Sequence, residues 1–370
     1  MSRIYSFADF DPSFLRKFYH ENEGETAIVW SEEELAFLGL VSPLTIMHLN
    51  RSTKSDYPID ETALNEQAKV LANFLAKTVD NSIFKGILNP GMVRSKIRKL
   101  EQLFETVGET SPLDRDKVTE DNMLKMSYEV KKNVFTFAQR FNLRNDGFTE
   151  IERSSNFPFV DQLRSLLGDN LQHIILYGSS VSGKGKDYDL MLVVNKFNYD
   201  LYQSIEGRRS SIMSDKPLSV TMMPESKLGL FSTMDAYNHM LKGELKLIYG
   251  GTLVLPKVSE GECINQMYYQ IGTTLTQIRG VLMNLNLHDT LSKSPEFLEN
   301  YVKNELWIRR GLLQKEKGVL LSKSEVLEQE GFSLPDISAI STPDDVRTLL
   351  YDINFRIKER VKLHQYIMSS

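Results

Sequence analysis

HIILYGSSVSGKGKDYDLMLVV, residues 173–194, holds two apolar runs joined by a loop of small and basic residues. Each run is bounded by turn formers, the pattern of a buried strand. Between them stand Gly178, Ser179 and Ser180, small residues that let a ligand approach the backbone closely. Amide N–H groups and hydroxyls at such a turn suit phosphate oxygens, the more so where a helical turn begins. The second run carries Asp187 and Asp189 two positions apart. Strand periodicity puts both carboxylates on one face and turns Tyr188 and Leu190 to the other. Two converging carboxylates repel unless a cation lies between them. Mg²⁺ or Mn²⁺ suits such a place, because it takes oxygen ligands from one or two carboxylates and from substrate phosphates. Lys184 and Lys186, in the loop between, are placed to neutralise β- and γ-phosphates.

In this order the pieces LYGSS and DYDLML resemble the signature of the DNA polymerase β-like nucleotidyltransferase superfamily: apolar strand, Gly-Ser, short loop, then Asp-x-Asp in a second apolar strand. The resemblance implies an α+β protein whose small mixed β-sheet is a nucleotidyltransferase core. It implies Asp187 and Asp189 as the catalytic pair and metal ligands, and Gly178, Ser179 and Ser180 as contacts to the triphosphate of an NTP donor. The family usually adds a third carboxylate on a later, adjacent strand. PLSVTMMP, residues 217–224, is the candidate strand, yet its alternating positions are Ser219 and Thr221, with Asp215 and Glu225 only flanking it. A core without the third acid is open to a second reading, a lapsed transferase that binds nucleotide as a sensor or scaffold.

Composition narrows the partners. The chain has 370 residues, 41% apolar and 25% charged, as in ordinary globular proteins. A net charge of −5 gives no support to general nucleic-acid binding, which draws its affinity from basic residues on phosphates. The expected acceptor is therefore a small molecule or a protein before an RNA or a lipid. No apolar run reaches the length of a membrane span. MSRIYSFADFDPSF lacks the features of a secretion signal, and Cys263 is the only cysteine, so the cytoplasm is expected. Gly183-Lys184-Gly185-Lys186 lacks the G-x4-G-K-[ST] pattern, and the serines lack a G-x-S-x-G elbow, which removes P-loop ATPases and serine hydrolases. The six histidines include no H-x3-H pair.

The periodicities divide the chain into a helical N-terminal region (1–150), a nucleotidyltransferase core (151–258) and a C-terminal helical bundle (259–370). Leu64, Ala68, Leu71, Leu75 and Val79 form one stripe at helical spacing. Val93, Ile97, Leu100, Phe104 and Val107 form a second, and Met123, Val130, Val134, Phe137 and Phe141 a third. Within the core, strands are expected at LQHIILY, DYDLMLVV, PLSVTMMP and GTLVLPKV (251–258). A long helix is expected from Ile264 to Leu285, another from Pro295 past Trp307, and helix starts at the capping boxes Ser31/Glu34 and Ser322/Glu325 and at Thr342-Pro343. Arg94, Lys96, Arg98 and Lys99 read as a solvated helix face, Arg208-Arg209 as a solvated turn, His173 as packing and Trp307 as core.

Overall fold

The apolar ends of the 173–194 stretch are strands, and helices at the expected stripes pack against them. The computed structural model describes residues 3–7, 27–53, 57–141, 148–150, 157–183, 185–231, 245–256, 271–278, 296–318 and 321–369. In chain order, β1 (Arg3–Phe7), β2 (Ala27–Ser31), α1 (Glu32–Val41) and α2 (Pro43–Thr53) precede the long α3 (Glu61–Phe84). Then come α4 (Pro90–Glu105), α5 (Met123–Phe137), β3 (Phe148–Glu150), α6 (Pro158–Leu167), β4 (Leu171–Tyr177) and β5 (Tyr188–Val194). They are followed by α7 (Tyr199–Arg208), β6 (Leu218–Pro224), β7 (Leu245–Tyr249), β8 (Val254–Pro256), α8 (Glu296–Lys317), α9 (Lys323–Gln329) and α10 (Pro343–Ser369). The fold is α+β, with a small mixed sheet.

The chain forms two compact units, 1–67 with 264–370, and 68–263. The unit of residues 68–263 holds the sheet, ordered β6-β5-β4-β7. β4 runs antiparallel to both β5 and β7, whereas β5 and β6 are parallel, the connection between them containing α7. The parallel pair explains why β5 is an unbroken apolar run, since a crossover helix buries it. One face (Ile174, Leu176, Leu190, Leu192, Val220, Met222 and Ile248) packs on Val79 and Ile83 of α3, Val93 and Ile97 of α4, Val130 of α5, Phe159 of α6 and Leu201 of α7. Each such side chain contributes roughly 1.5–3 kcal/mol by leaving water.

β6 is an edge strand, and at Met222 its outward backbone groups are satisfied by side chains. The Asp80 carboxylate of α3 accepts the Met222 N–H at 2.6 Å. Lys131 of α5 donates to the Met222 carbonyl and to Asp80, whose other oxygen accepts the Tyr202 hydroxyl. Asp80, Lys131 and Tyr202 are all fully buried. Helices α3 and α5 thus close an edge that would otherwise pair with another strand.

Two strand assignments change. The fourth strand of the sheet is Leu245–Tyr249, not GTLVLPKV, of which Val254–Pro256 pairs instead with Phe148–Glu150. The sequence LKLIY alternates only weakly and follows a helix-like run, so its period was masked.

In the other unit, β1 and β2 form a parallel pair absent from the expected helical N-terminus. Its core gathers Trp30, Leu38, Ile46, Ile271, Ile278, Leu312, Leu350 and Ile353. Of the expected Ile264–Leu285 helix, residues 271–278 are helical and the remainder lies outside the described residues. The Ser322/Glu325 capping box is formed, opening α9. At the start of α10 the Thr342 hydroxyl accepts the Asp345 N–H at 3.2 Å. Glu305, fully buried on α8, holds Arg309 and Arg356, while Glu330 joins Arg309 to Arg360. Trp307 is not core: it is 49% exposed, with the Arg310 guanidinium 4.9 Å from its ring.

Candidate functional site

β4 delivers the chain to Gly178, where a positive φ of 71° turns it into a short 3-10 helix, Gly178–Ser182. Gly183 ends that turn in the left-handed region, its N–H donating to the Ser180 carbonyl at 3.1 Å. Ser180 is buried, its hydroxyl donating to the Tyr177 carbonyl at 2.6 Å and accepting the Asp189 N–H at 3.4 Å. That hydroxyl therefore ties the turn to β5, whereas Ser179 is exposed. The Gly185 N–H donates to the Ser179 carbonyl at 3.1 Å, folding the loop back on the turn. A Cβ on Gly185 would stand 2.8 Å from the Asp187 carbonyl oxygen and 3.0 Å from the Ser180 nitrogen, so the fold-back requires glycine.

Asp189 faces Tyr177 across β4–β5 and Ser219 across β5–β6. The acidic residue and the Gly-Ser turn accordingly share one end of the sheet. Asp187 stands one residue before β5, with its side chain 36% exposed and the Lys85 Nζ 4.0 Å from its Oδ2. Lys186 is exposed, and Lys184 lies outside the described residues. Tyr188 points to the other face, against Phe157 and Phe159, and its hydroxyl donates to Asp215 at 3.2 Å. Burial and the Asp215 carboxylate push the Tyr188 phenol above its usual range.

Three lysines join this end of the sheet that the sequence did not mark. The Lys216 ammonium donates to the carbonyls of Gly183 at 3.0 Å and Gly185 at 2.8 Å, clamping the loop from below. Lys85 caps the end of α3 beside Asp187. The Lys77 ammonium lies 5.9 Å from the ring of Tyr177, the cross-strand partner of Asp189. Their elements are far from the loop in sequence, and only the packing of α3 and the parallel run of β6 bring them to it.

The flanking acids do not complete the pair. Asp215 belongs with Tyr188. Glu225 follows Pro224, which stands beside Val194, so it lies roughly 16 Å or more along the sheet from Asp189. Ser219 occupies the position next to Asp189. Among the described residues no group of three or more His, Cys, Asp or Glu is arranged to hold a metal ion. Two carboxylates fit a hard cation that takes its remaining oxygens from substrate phosphates, and do not make a cage for a cation alone.

His173 stands beside Val193, away from Asp189, and burial lowers its pKa while Glu225 acts in the opposite sense. Arg209 pairs with Glu206, and its guanidinium lies where a Cβ on Gly86 would be. Lys96 and Lys99 are not simply solvated: their ammonium groups lie 5.0 and 3.9 Å from the Phe74 ring, and Lys96 donates to the Thr78 hydroxyl at 2.7 Å. Burial, and for Lys96 the neighbouring Lys99, bring both amines down to about 8.

No family model matches this chain, and no curated protein does. Among solved structures it is similar to spectinomycin adenyltransferase AAD(9) from Enterococcus faecialis, determined with ATP and spectinomycin. The likeness covers 55% of this chain and 100% of that one, at 15% identity and a TM-score of 0.37, too distant to assign any residue. No helix among the described residues is long and apolar enough to cross a membrane.

Proposed function

We propose that the segment 178–189 is a nucleotide site, and that the protein transfers a nucleoside monophosphate from an NTP to an acceptor hydroxyl or phosphate. The observation that carries this reading is the pairing of Tyr177 with Asp189, which puts the Gly-Ser turn and the acidic residues at one end of the sheet. Gly178, Ser179 and Ser180 contact the phosphates through the turn, Ser180 by its backbone because its hydroxyl is engaged within the turn. Lys184 and Lys186 neutralise the outer phosphates. Asp187 and Asp189 would hold Mg²⁺ or Mn²⁺ together with phosphate oxygens. Bound there, such a cation supplies charge neutralisation at the transferring phosphoryl group and lowers the pKa of the attacking hydroxyl. The acceptor oxygen forms a bond to the α-phosphorus as the α–β bridging bond breaks in line, and pyrophosphate leaves. The acidic balance of the chain favours a small molecule or a protein as acceptor over RNA.

The test is the melting temperature with ATP, GTP, CTP and UTP, each with and without Mg²⁺ or Mn²⁺. A metal-dependent rise is expected for one nucleotide, about 2.7 kcal/mol of stabilisation at a hundredfold excess over Kd. The rise should vanish in Asp187→Asn/Asp189→Asn while the variant keeps its fold. No rise with any nucleotide would sink the reading.

Ser219 beside Asp189 favours a second reading, a lapsed core that binds nucleotide as a sensor or scaffold. It predicts the same metal-dependent rise with no pyrophosphate release for any acceptor.

A further inference from the structure

Lys85 closes α3 in a fixed geometry. Its N–H donates to the Asn81 carbonyl at 3.0 Å; next, the N–H groups of Gly86 and Ile87 return to the carbonyls of Ile83 and Ser82 at 3.0 and 3.1 Å. With Gly86 at φ 65°, this is a Schellman end. The Arg209 guanidinium packs on Gly86, its Nε 2.8 Å from where a Cβ would stand, and so supports the same turn. The Schellman end thus fixes the backbone that carries Lys85, while its long side chain is partly exposed. That side chain reaches Asp187, with Nζ 4.0 Å from Oδ2 and side-chain exposures of 34% and 36%.

An ion pair this open to water is weak and easily exchanged. Its weakness gives it a use. Asp187 and Asp189 without a cation repel one another, and two carboxylates alone are a poor cage for Mg²⁺ or Mn²⁺. A lysine that neutralises Asp187 in the meantime relieves the repulsion and competes with a lone divalent ion. When a nucleoside triphosphate arrives with its metal, the cation takes Asp187 and the released ammonium has the polyphosphate within reach.

Resting on the nucleotide-site reading above, we infer that Lys85 is the resident counter-ion of Asp187, exchanged for the divalent cation on nucleotide binding and passed to the triphosphate. Metal binding at Asp187 is thereby biased towards the nucleotide-bound state. Lys85 is a phosphate-binding residue of the donor site, drawn from the end of α3, outside the Gly-Ser and Asp-x-Asp segment.

The experiment measures Mn²⁺ binding by calorimetry or electron paramagnetic resonance for the wild type, Lys85→Gln and Lys85→Arg. Each is titrated with Mn²⁺ alone and with Mn²⁺ plus ATP, GTP, CTP or UTP. In Lys85→Gln, Mn²⁺ alone should bind about threefold tighter, as the loss of one exposed counter-ion allows. The triphosphate should bind about tenfold weaker in the same variant, the loss of one charge-assisted phosphate contact. Lys85→Arg should restore nucleotide binding. Opposite signs for metal and nucleotide are what a merely structural lysine would not produce. If the wild type binds every nucleotide no better with Mn²⁺ than without it, the site reading and the inference fall together. If the wild type binds a nucleotide with Mn²⁺ but Lys85→Gln weakens both ligands, or moves neither, the inference alone is overturned.

Discussion

The Asp80 carboxylate accepts the main-chain N–H of Met222 at 2.6 Å, so a helix side chain completes the edge of the sheet where a neighbouring strand would otherwise sit. The same carboxylate holds Lys131 and Tyr202, and the whole group is shut away from water. Burial raises the Asp80 pKa and lowers that of Lys131, and their mutual attraction opposes both shifts. Asp80→Asn strands an ammonium in the core and should cost about 3–5 kcal/mol in urea unfolding. Adding Lys131→Met removes the stranded charge and should recover much of that loss. A single variant within about 1 kcal/mol of wild type would show that the network is not what holds the edge.

Lys96 and Lys99 predict a pH dependence of the opposite kind to that of a paired lysine. Their folded-state pKa values of about 8 lie below the ordinary 10.5 of the unfolded chain. Between those values the unfolded chain holds more protons, so stability rises with pH from about 8 towards 10.5, and the penalty is complete below 8. Lys96→Met should raise the melting temperature at pH 7, with the gain fading by about pH 10. A gain that grows with pH would contradict the burial of the charge.

The loop clamp is open to two substitutions. Lys216→Met removes two hydrogen bonds from a charged donor to the carbonyls of Gly183 and Gly185, contacts of the class worth about 1.5–3 kcal/mol each. Gly185→Ala pushes a methyl group into the Asp187 carbonyl. Both should abolish the nucleotide-induced rise in melting temperature and leave the far-ultraviolet circular dichroism unchanged. An undiminished rise in either would mean that loop shape is not needed for binding.

In the helical unit, the fully buried Glu305 holds two guanidinium groups. Its two oxygens accept from Arg356 at 2.9 Å each, and Oε1 also accepts from Arg309 at 3.0 Å. Glu305→Gln leaves two guanidinium groups facing a neutral amide and should cost about 3 kcal/mol or more. Ser322→Ala, which deletes only the capping hydroxyl of α9, should cost about 1 kcal/mol. Chemical denaturation of both variants gives the comparison, and equal losses would show that the buried ion pairs of Glu305 contribute no more than one helix cap.

What could be read from the sequence was local. The helical stripes of α3, α4 and α5, the strands β4, β5 and β6, and the capping box at Ser322 each show their period or cap within a few neighbouring residues. β7 escaped because LKLIY follows a helix-like run, and β1 with β2 because their pairing joins segments far apart in the chain. The burial of Lys131 rests on Asp80, 51 positions away, and on the Met222 carbonyl, 91 positions away, neither of which a local pattern can show. For the same reason the sequence named the acidic pair and the glycine-serine turn but not Lys85 or Lys216, whose places depend on how α3 ends and on β6 lying beside β5.

The hydrogen bonds by which Lys216 grips its loop go to main-chain carbonyls, and this has an evolutionary consequence. Hydrogen bonds to carbonyls do not select among the loop's side chains, so the exposed Lys186 can change in charge and size while the path of the chain persists. A shape preserved independently of its chemistry allows a lineage to change the ligand it recognises by single substitutions, without first rebuilding the turn. The glycines at 183 and 185 are the exception: one supplies the left-handed turn and the other the close approach, and there any larger residue must disturb the path itself.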